Sequence, residues 1–199
     1  MAPSDQSADR RTTYRFATLA AMTLHGYLGH GASGTAASMA PFVKGLRTRG
    51  IVATAIDLPK RKAEEALPAF HKVVPDGPDV FVGGHSYGGR VASLAAAAAN
   101  APYRALVCFS YPLHPPGQPD RAEARTAHWP SIRCPVLLLS GESDPFARLE
   151  LLRRLVPTIG GRAELVTYPR LGHGLRPVLE DVLDRVAAFL HSVEADGEG

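Results

Sequence analysis

Short apolar segments alternate with longer segments of helical periodicity along most of this chain. A short continuous apolar segment is typical of a strand buried in a parallel sheet, and apolar residues three or four positions apart predict a helix. The predicted strands are Met22–Leu28, Ile51–Ile56, Val80–Val82, Ala105–Phe109, Pro135–Leu139 and Ala163–Thr167, and the predicted helices lie near 39–46, 66–74, 88–100, 148–155 and 177–190. The second helix is expected to start just before Pro68, because a proline is tolerated only in a first turn. The alternation indicates a parallel sheet with helices on both faces.

The chain is expected to form one domain. Its 199 residues suit a single hydrophobic core, and no change in composition separates two units between residues 15 and 193. The polar segments 1–14 and 194–199 are expected to be flexible tails.

Charge and cysteine content narrow the class of protein. The formal net charge is +3, from 22 basic and 19 acidic residues, and no basic cluster with interleaved aromatic residues indicates nucleic-acid binding. The sequence contains no run of 18 apolar residues, so it predicts no membrane-spanning helix. Cys108 and Cys134 lack the spacing of a zinc site, and two thiols in or beside predicted strands fit a cytoplasmic protein. Arg10 and Arg11 precede an apolar segment, so a twin-arginine export signal is the alternative.

The clearest chemical motif is Gly84-His85-Ser86-Tyr87-Gly88. It follows a predicted strand and precedes a predicted helix, and in that context a GxSxG sequence forms a sharp turn that exposes the serine hydroxyl. The helix N-terminus adds N–H groups and a positive dipole where negative charge develops. We therefore predict that Ser86 is a nucleophile with φ above zero, against the alternative of a tight turn that carries a serine by chance.

A serine nucleophile needs a base, and the base needs an acid that orients it. In hydrolases with a GxSxG turn, the chain order is serine, acid, histidine. Asp144 follows the fifth predicted strand and His173 follows the sixth, so both are expected at the carboxyl edge of the sheet with Ser86. We predict Asp144 as the acid and His173 as the base, with Glu142 as the rival acid.

The glycine-rich segment 29–34, Gly-His-Gly-Ala-Ser-Gly, supports two interpretations. It follows a strand and precedes a helix, and Asp57 ends the next strand, which is typical of dinucleotide-binding proteins. It also fits an oxyanion loop, in which the N–H groups of Ala32 and Tyr87 hold the negative oxygen of a tetrahedral intermediate. We favour the oxyanion loop, because the dinucleotide interpretation leaves the predicted serine, acid and base unexplained.

Four segments together resemble a known family, and they are 30–34 (His-Gly-Ala-Ser-Gly), 84–93 (Gly-His-Ser-Tyr-Gly-Gly-Arg-Val-Ala-Ser), 110–117 (Ser-Tyr-Pro-Leu-His-Pro-Pro-Gly) and 141–146 (Gly-Glu-Ser-Asp-Pro-Phe). They are similar to segments of the small α/β-hydrolase-like family related to dienelactone hydrolases. Its animal members include a testis-expressed protein and a subunit of a histone acetyltransferase complex. The Tyr-Pro-Leu-His-Pro-Pro-Gly stretch is the most specific part of the likeness, which extends over roughly residues 22–190.

The resemblance implies a minimal α/β-hydrolase fold with a six-stranded, mostly parallel sheet, helices on both faces and no lid domain. It also implies the triad Ser86, Asp144 and His173, and it implies no particular substrate. The chain departs from the family at His85 and Tyr87, where the family commonly has Arg or Lys and then Met.

The connection Tyr111–Arg133 is too short for the helical lid that many α/β-hydrolases insert there. An open, shallow pocket is therefore expected, with His30 and Gly31 of the glycine loop and Tyr111 as substrate contacts and Trp129 as a further possible wall. Such a pocket favours small soluble esters, thioesters or lactones over lipids. The sequence thus predicts a serine hydrolase that forms an acyl-enzyme and uses no cofactor or metal, and a non-catalytic binding or scaffold protein on the same fold is the alternative.

Overall fold

A computed structural model describes residues 24–98 and 103–195. The expected N-terminal tail, 1–14, lies outside the described residues, and so do the last four residues of the expected C-terminal tail. The first two residues of the predicted strand Met22–Leu28 also lie outside them.

Six strands form one sheet in which every neighbouring pair is parallel. The strands are β1 (His25–Gly29), β2 (Val52–Ile56), β3 (Val80–His85), β4 (Ala105–Phe109), β5 (Val136–Gly141) and β6 (Ala163–Tyr168). Their order across the sheet is β2-β1-β3-β4-β5-β6, so the direction of winding reverses between β1 and β3. Loops that leave these two strands in opposite directions open a crevice at their carboxyl ends, which is where such sheets bind ligands.

Helices cover both faces of this sheet. They are α1 (Ala40–Arg47), α2 (Ala63–Val73), α3 (Tyr87–Ala96), α4 (Ala122–Thr126), α5 (Leu149–Leu155) and α6 (Leu179–Ala195). One apolar layer packs against α2, α3 and α5, and the other packs against α1 and α6. Alternate residues of each strand supply the two layers, so that Val80 and Val82 belong to the first and Phe81 belongs to the second. The predicted parallel sheet of six strands with helices on both faces is confirmed.

Three helix boundaries differ by more than two residues from those predicted, and one of them is the end of α3, which lies at Ala96 and not at residue 100. α2 begins at Ala63, three residues before the predicted start, so Pro68 is the sixth residue of the helix and the prediction of a first-turn proline was wrong. A proline at this position has no N–H to donate to the carbonyl of Glu64, so α2 lacks one helical hydrogen bond there, on its exposed side. α6 continues to Ala195, two residues into the segment expected as a tail.

The connection between β4 and β5 packs onto the domain and forms no separate lid. It contains α4 and a 3-10 turn, Trp129–Ser131. Tyr111 and Trp129 are both buried, with their ring centroids 5.1 Å apart in an edge-to-face arrangement. The Tyr111 hydroxyl donates a hydrogen bond to the carbonyl of Arg125 at 3.2 Å. These aromatic residues anchor the connection, and the carboxyl edge of the sheet stays open to solvent.

The backbone of β1 touches the start of α3 with no room for a side chain between them. A Cβ atom at Gly88 would lie 2.2 Å from the carbonyl carbon and oxygen of Gly29, and one at Gly84 would lie 2.2 Å from the same oxygen. Gly84 also has a φ of +150°, and the Gly88 N–H donates to the His30 carbonyl at 2.9 Å. Both positions therefore require glycine, since any Cβ would push the helix away from the strand.

We expect Gly88→Ala to lower the free energy of unfolding by about 3 kcal/mol, because overpacking against a backbone carbonyl cannot be relieved by a rotamer change. Gly174→Ala is the matched control, since a Cβ at Gly174 would meet no atom within 4 Å. Urea denaturation of the two variants and the wild type measures the difference. Equal stability of the two variants would contradict the proposed close contact.

Candidate functional site

Ser86 occupies a sharp turn between β3 and α3. Its φ is 51° and its ψ is −111°, a conformation that costs a residue with a side chain of order 1–3 kcal/mol. Its N–H donates to the carbonyl of Phe109 at 2.8 Å, which ties the turn to the end of β4. The positive φ predicted from the GxSxG motif is confirmed, and the half-buried Ser86 lines two cavities at the carboxyl edge of the sheet.

Two loops at this edge bring an imidazole and a carboxylate to Ser86. His173 Nδ1 lies 2.7 Å from Asp144 Oδ2, and His173 Nε2 lies 2.8 Å from Ser86 Oγ. A carboxylate only accepts hydrogen bonds, so Nδ1 carries the ring proton and the bare Nε2 accepts the hydroxyl hydrogen of Ser86. The structure thus brings together the three residues that the sequence predicts as nucleophile, acid and base.

The carboxylate of Asp144 is held in place by its surroundings. Asp144 is only 4% exposed, and its second oxygen, Oδ1, accepts the N–H of Phe146 at 2.8 Å. The loop that carries Asp144 is tied to the loop that carries His173, because the Ser143 N–H donates to the Leu171 carbonyl at 2.8 Å. A buried carboxylate with both oxygens engaged keeps the imidazole in one tautomer and orientation.

Glu142, the rival acid, is engaged elsewhere. Its Oε1 accepts the hydroxyl hydrogen of Thr167 on β6 at 2.9 Å, and it lies 3.9 Å from Arg153 Nη2. The geometry therefore favours Asp144 as the partner of His173.

The glycine loop lacks the geometry of a dinucleotide fingerprint. A 3-10 turn, Ala36–Met39, follows the loop, and α1 begins only at Ala40. Asp57 Oδ1 accepts the N–H of Ala36 at 2.7 Å, so this carboxylate caps the turn. A dinucleotide site would need the helix N-terminus at the glycines and a free carboxylate for the ribose.

Two backbone amides beside Ser86 have no acceptor within the part of the chain that the structure describes. Ala32 and Tyr87 both line a cavity that contains Ser86. Tyr87 is the first residue of α3, so its N–H has no acceptor inside the helix. The Ala32 N–H likewise donates to no described group. Both amides are thus available to a bound oxygen.

Two of the three expected substrate contacts were wrong. His30 is 2% exposed, because its Nδ1 donates to the Gly31 carbonyl at 2.7 Å and its Nε2 accepts the Leu58 N–H at 3.0 Å. Tyr111 is 2% exposed and belongs to the core, so neither ring can meet a ligand. Trp129, the further possible wall, is buried with Tyr111. Gly31 lines a cavity beside Ser86, and its contact with substrate stays a prediction.

Two cavities meet at Ser86, and they share Ala32 and Phe146 in their walls. The first, which we name the basic cavity, has a volume of about 380 Å³ and is lined by charged residues from the loop before α2, from α2 and α3, and from the β4–β5 connection. The second, the glycine-loop cavity, has a volume of about 450 Å³ and is lined by the glycine loop and by His173. The charged residues of the basic cavity are Arg61, Lys62, Glu64, Arg90 and Arg125.

Neither these charged residues nor Phe146 was predicted from the sequence to line the site. Arg90 lies one helical turn after Ser86 on α3, so helical periodicity could have placed it beside the serine. Arg61 and Arg125 come from separate segments and carry no local signal. The Phe146 ring centroid lies 4.5 Å from that of His173, so this ring forms a wall next to the imidazole.

A second histidine, His85, touches His173 directly. His85 Nε2 lies 3.2 Å from the backbone carbonyl oxygen of His173, and the two ring centroids are 5.2 Å apart. A carbonyl oxygen only accepts hydrogen bonds, so Nε2 of His85 carries a proton and donates a hydrogen bond. Burial lowers the pKa of His85, and a positive charge on His173 would lower it further, while the hydrogen bond to His173 and the charge of Asp144 oppose the shift.

The described residues contain neither a candidate metal site nor a candidate membrane-spanning helix. Within residues 24–98 and 103–195, no group of three His, Cys, Asp or Glu side chains is arranged to hold a metal ion. No helix in these ranges combines the length and the apolar character that a membrane crossing requires.

The comparisons with known proteins agree with the fold. The family model described as an alpha/beta hydrolase domain matches residues 25–188. Among solved structures, a monoacylglycerol lipase from Paleococcus ferrophilus is 16% identical with a TM-score of 0.73, over 86% of this chain and 96% of that chain. A dienelactone hydrolase from Anabaena variabilis is 23% identical with a TM-score of 0.64, over 85% and 86%. Est1E from Butyrivibrio proteoclasticus, solved with ferulic acid bound, is 18% identical with a TM-score of 0.68, over 87% and 91%. Among curated proteins, none matches this sequence.

We expect His85 to titrate below the ordinary imidazole value of about 6.5, because burial disfavours its charged form. An NMR titration of the histidine ring protons measures this, and His85→Gln identifies the resonance that belongs to His85. A midpoint at or above the ordinary value would show that the site stabilises a charged His85, contrary to the geometry.

Proposed function

This chain belongs to the α/β-hydrolase domain family, and from that premise we propose that it is a serine hydrolase that cleaves small soluble esters, thioesters or lactones. The single observation that supports the proposal best is the continuous hydrogen-bonded path from Asp144 through His173 to Ser86, at 2.7 and 2.8 Å. This path ends on a serine held in a strained backbone conformation at the mouth of two cavities. No observation gives comparable support to a scaffold role.

The proposed reaction proceeds in two halves through an acyl-enzyme. Ser86 Oγ attacks the substrate carbonyl while His173 Nε2 takes the hydroxyl proton, and Asp144 stabilises the resulting imidazolium. The N–H groups of Ala32 and Tyr87 hold the negative oxygen of the tetrahedral intermediate. His173 then gives its proton to the leaving alcohol or thiol. In the second half, a water molecule attacks the acyl-enzyme by the same route and releases the acid.

The size and openness of the site support small substrates. Cavities of about 380 and 450 Å³ lie within the range that holds small molecules. The β4–β5 connection is pinned by Tyr111 and Trp129, so it cannot enclose a long acyl chain in the way that an inserted lid does. Proteins of similar fold include a monoacylglycerol lipase and a dienelactone hydrolase, which cleave esters or lactones.

We relate the chain to the dienelactone-hydrolase-like group, which is supported by the segment 110–117 and by the similar fold of the Anabaena variabilis enzyme. We also place the protein in the cytoplasm, because Cys108 and Cys134 are both free thiols.

A fluorophosphonate probe tests the proposed nucleophile. The wild type is expected to be labelled, because activated Ser86 Oγ attacks phosphorus and expels fluoride, and Ser86→Ala is expected to lose the label completely. Ser33→Ala is the matched control, since Ser33 lines the glycine-loop cavity but contacts neither Asp144 nor His173 in the network. A folded wild type that takes no label would overturn the serine-hydrolase proposal and favour the scaffold alternative.

Replacing Ser86, His173 or Asp144 should lower activity by different amounts. We expect Ser86→Ala or His173→Ala to lower kcat by about 10⁶, because either change alone abolishes the proton-coupled attack. Asp144→Asn should cost about 10⁴, because it disfavours the required tautomer and removes the charge that stabilises the imidazolium. Rates on 4-nitrophenyl acetate measure the series, and Glu142→Gln serves as the control that keeps its activity. Full activity in Asp144→Asn would show that another residue is the acid.

A further inference from the structure

The basic cavity holds more positive than negative charge. Its wall carries the cationic groups of Arg61, Lys62, Arg90 and Arg125 against one carboxylate, that of Glu64. Arg90 Nη2 pairs with Glu64 Oε1, so these two charges compensate each other. The other three cations have no carboxylate partner in the part of the chain that the structure describes. The cavity next to Ser86 therefore carries uncompensated positive charge.

Arg125 is the most informative of the three cations, because it is half-buried. Among the described residues, one of its five N–H donors has an acceptor, in a bond from Nη1 to the Pro112 carbonyl at 3.1 Å. Burial lowers the pKa of Arg125, and the neighbouring charge of Arg90 lowers it further. Withdrawing a guanidinium from water without a counter-ion is unfavourable, and a bound anion would offset that cost.

The position of His173 distinguishes the two cavities. His173 lines the glycine-loop cavity and does not line the basic cavity. In the proposed mechanism, His173 protonates the leaving group, so the leaving group must lie in the glycine-loop cavity. The acyl group, which stays attached to Ser86 Oγ, is left to occupy the basic cavity.

We propose that the basic cavity binds an anionic group, most simply a carboxylate, at the far end of the acyl chain, so that the substrate is a half-ester of a dicarboxylic acid. The inference rests on the serine-hydrolase function proposed above. Ser86 Oγ forms the new bond to the ester carbonyl, the bond to the alcohol oxygen breaks, and the alcohol leaves with the proton held by His173. The acyl-enzyme keeps its distal carboxylate against Arg125, and water then releases the free diacid. A planar guanidinium matches a carboxylate with two parallel hydrogen bonds.

A matched pair of esters tests the charge preference. 4-Nitrophenyl hydrogen adipate carries the distal carboxylate, and 4-nitrophenyl methyl adipate carries a neutral ester in its place. We expect the wild type to favour the anionic ester in kcat/KM by about tenfold to a hundredfold, as hydrogen bonds to charged groups typically allow. Equal rates, or a faster neutral ester, would overturn the proposal while leaving the serine-hydrolase function intact.

Substitutions of the arginines in the basic cavity identify which cations cause the preference for the anionic ester. Arg125→Gln is expected to bring the preference close to one, and Arg61→Gln, at an exposed position, is expected to reduce it without affecting folding. Lys72→Gln is the matched control, because it removes one positive charge from an exposed position near the end of α2, outside the cavity. A preference that survives both arginine substitutions would contradict the assignment.

Two further substrates locate the anion and identify it. 4-Acetoxybenzoate carries its carboxylate on the leaving group, and we expect no preference for it over its methyl ester. A preference there would place the anion site on the wrong side of Ser86. An adipate analogue whose acyl chain ends in a phosphonate distinguishes the two oxyanions. A preference for the carboxylate or the phosphonate over the neutral ester supports an anion site, and the larger preference identifies the anion that the site binds better.

Adipate binding can be measured even if the wild type hydrolyses none of these esters. Calorimetric titration of Ser86→Ala with adipate is expected to show saturable binding that Ser86→Ala/Arg125→Gln weakens at least tenfold. Binding without hydrolysis by the wild type would overturn the proposed function and support the anion site. The absence of binding would overturn the anion site.

Discussion

The close contact between the backbone of β1 and the start of α3 is the constraint on which the site depends. Because Gly84 and Gly88 have no side chains, the Gly29 carbonyl approaches them directly, and α3 starts immediately above the sheet. That approach forces the chain through the strained turn at Ser86 and leaves the amide of Tyr87 at the helix N-terminus. It also fixes the glycine loop, which begins at the same end of β1. One contact between backbones therefore positions both the proposed nucleophile and the amides proposed to hold the oxyanion.

A second contact of the same kind positions the proposed acid and base. A Cβ atom at Gly141 would lie 2.2 Å from the carbonyl oxygens of Leu171 and Gly172, so the loops after β5 and β6 touch directly. Parallel strands end at one edge of a sheet, and loops that touch there carry their side chains into the same space. The buried carboxylate of Asp144 and the ring of His173 are consequently held to each other by the fold and not by flexible surface contacts.

Much of this arrangement could be predicted from the sequence, because it follows from local pattern and chain order. The strands follow from continuous apolar segments, and the roles of Ser86, Asp144 and His173 were inferred from a turn motif and the order of parallel strands. The direction of a loop side chain does not follow in this way. His30 and Tyr111 lie where the sequence placed them along the chain, but their rings turn inward to satisfy backbone groups and to fill the core. The cations of the basic cavity come from three segments that only the tertiary fold brings together.

Backbone strain in the described residues is concentrated at the edge that carries the site. Three residues other than glycine have a clearly positive φ, and they are Ser86 at 51°, Ser110 at 52° and Arg170 at 59°. Ser86 follows β3 directly, Ser110 follows β4 directly and Arg170 lies two residues beyond β6, so all three follow carboxyl ends of strands. Ser110 adds a buried hydroxyl with no hydrogen-bond partner among the described groups. Each such feature costs of order 1–3 kcal/mol, and the well-packed layers on both faces of the sheet must offset that cost. The fold therefore combines a tightly packed, unstrained body with a strained edge, which is the distribution expected where selection acts on the placement of reactive groups more than on stability.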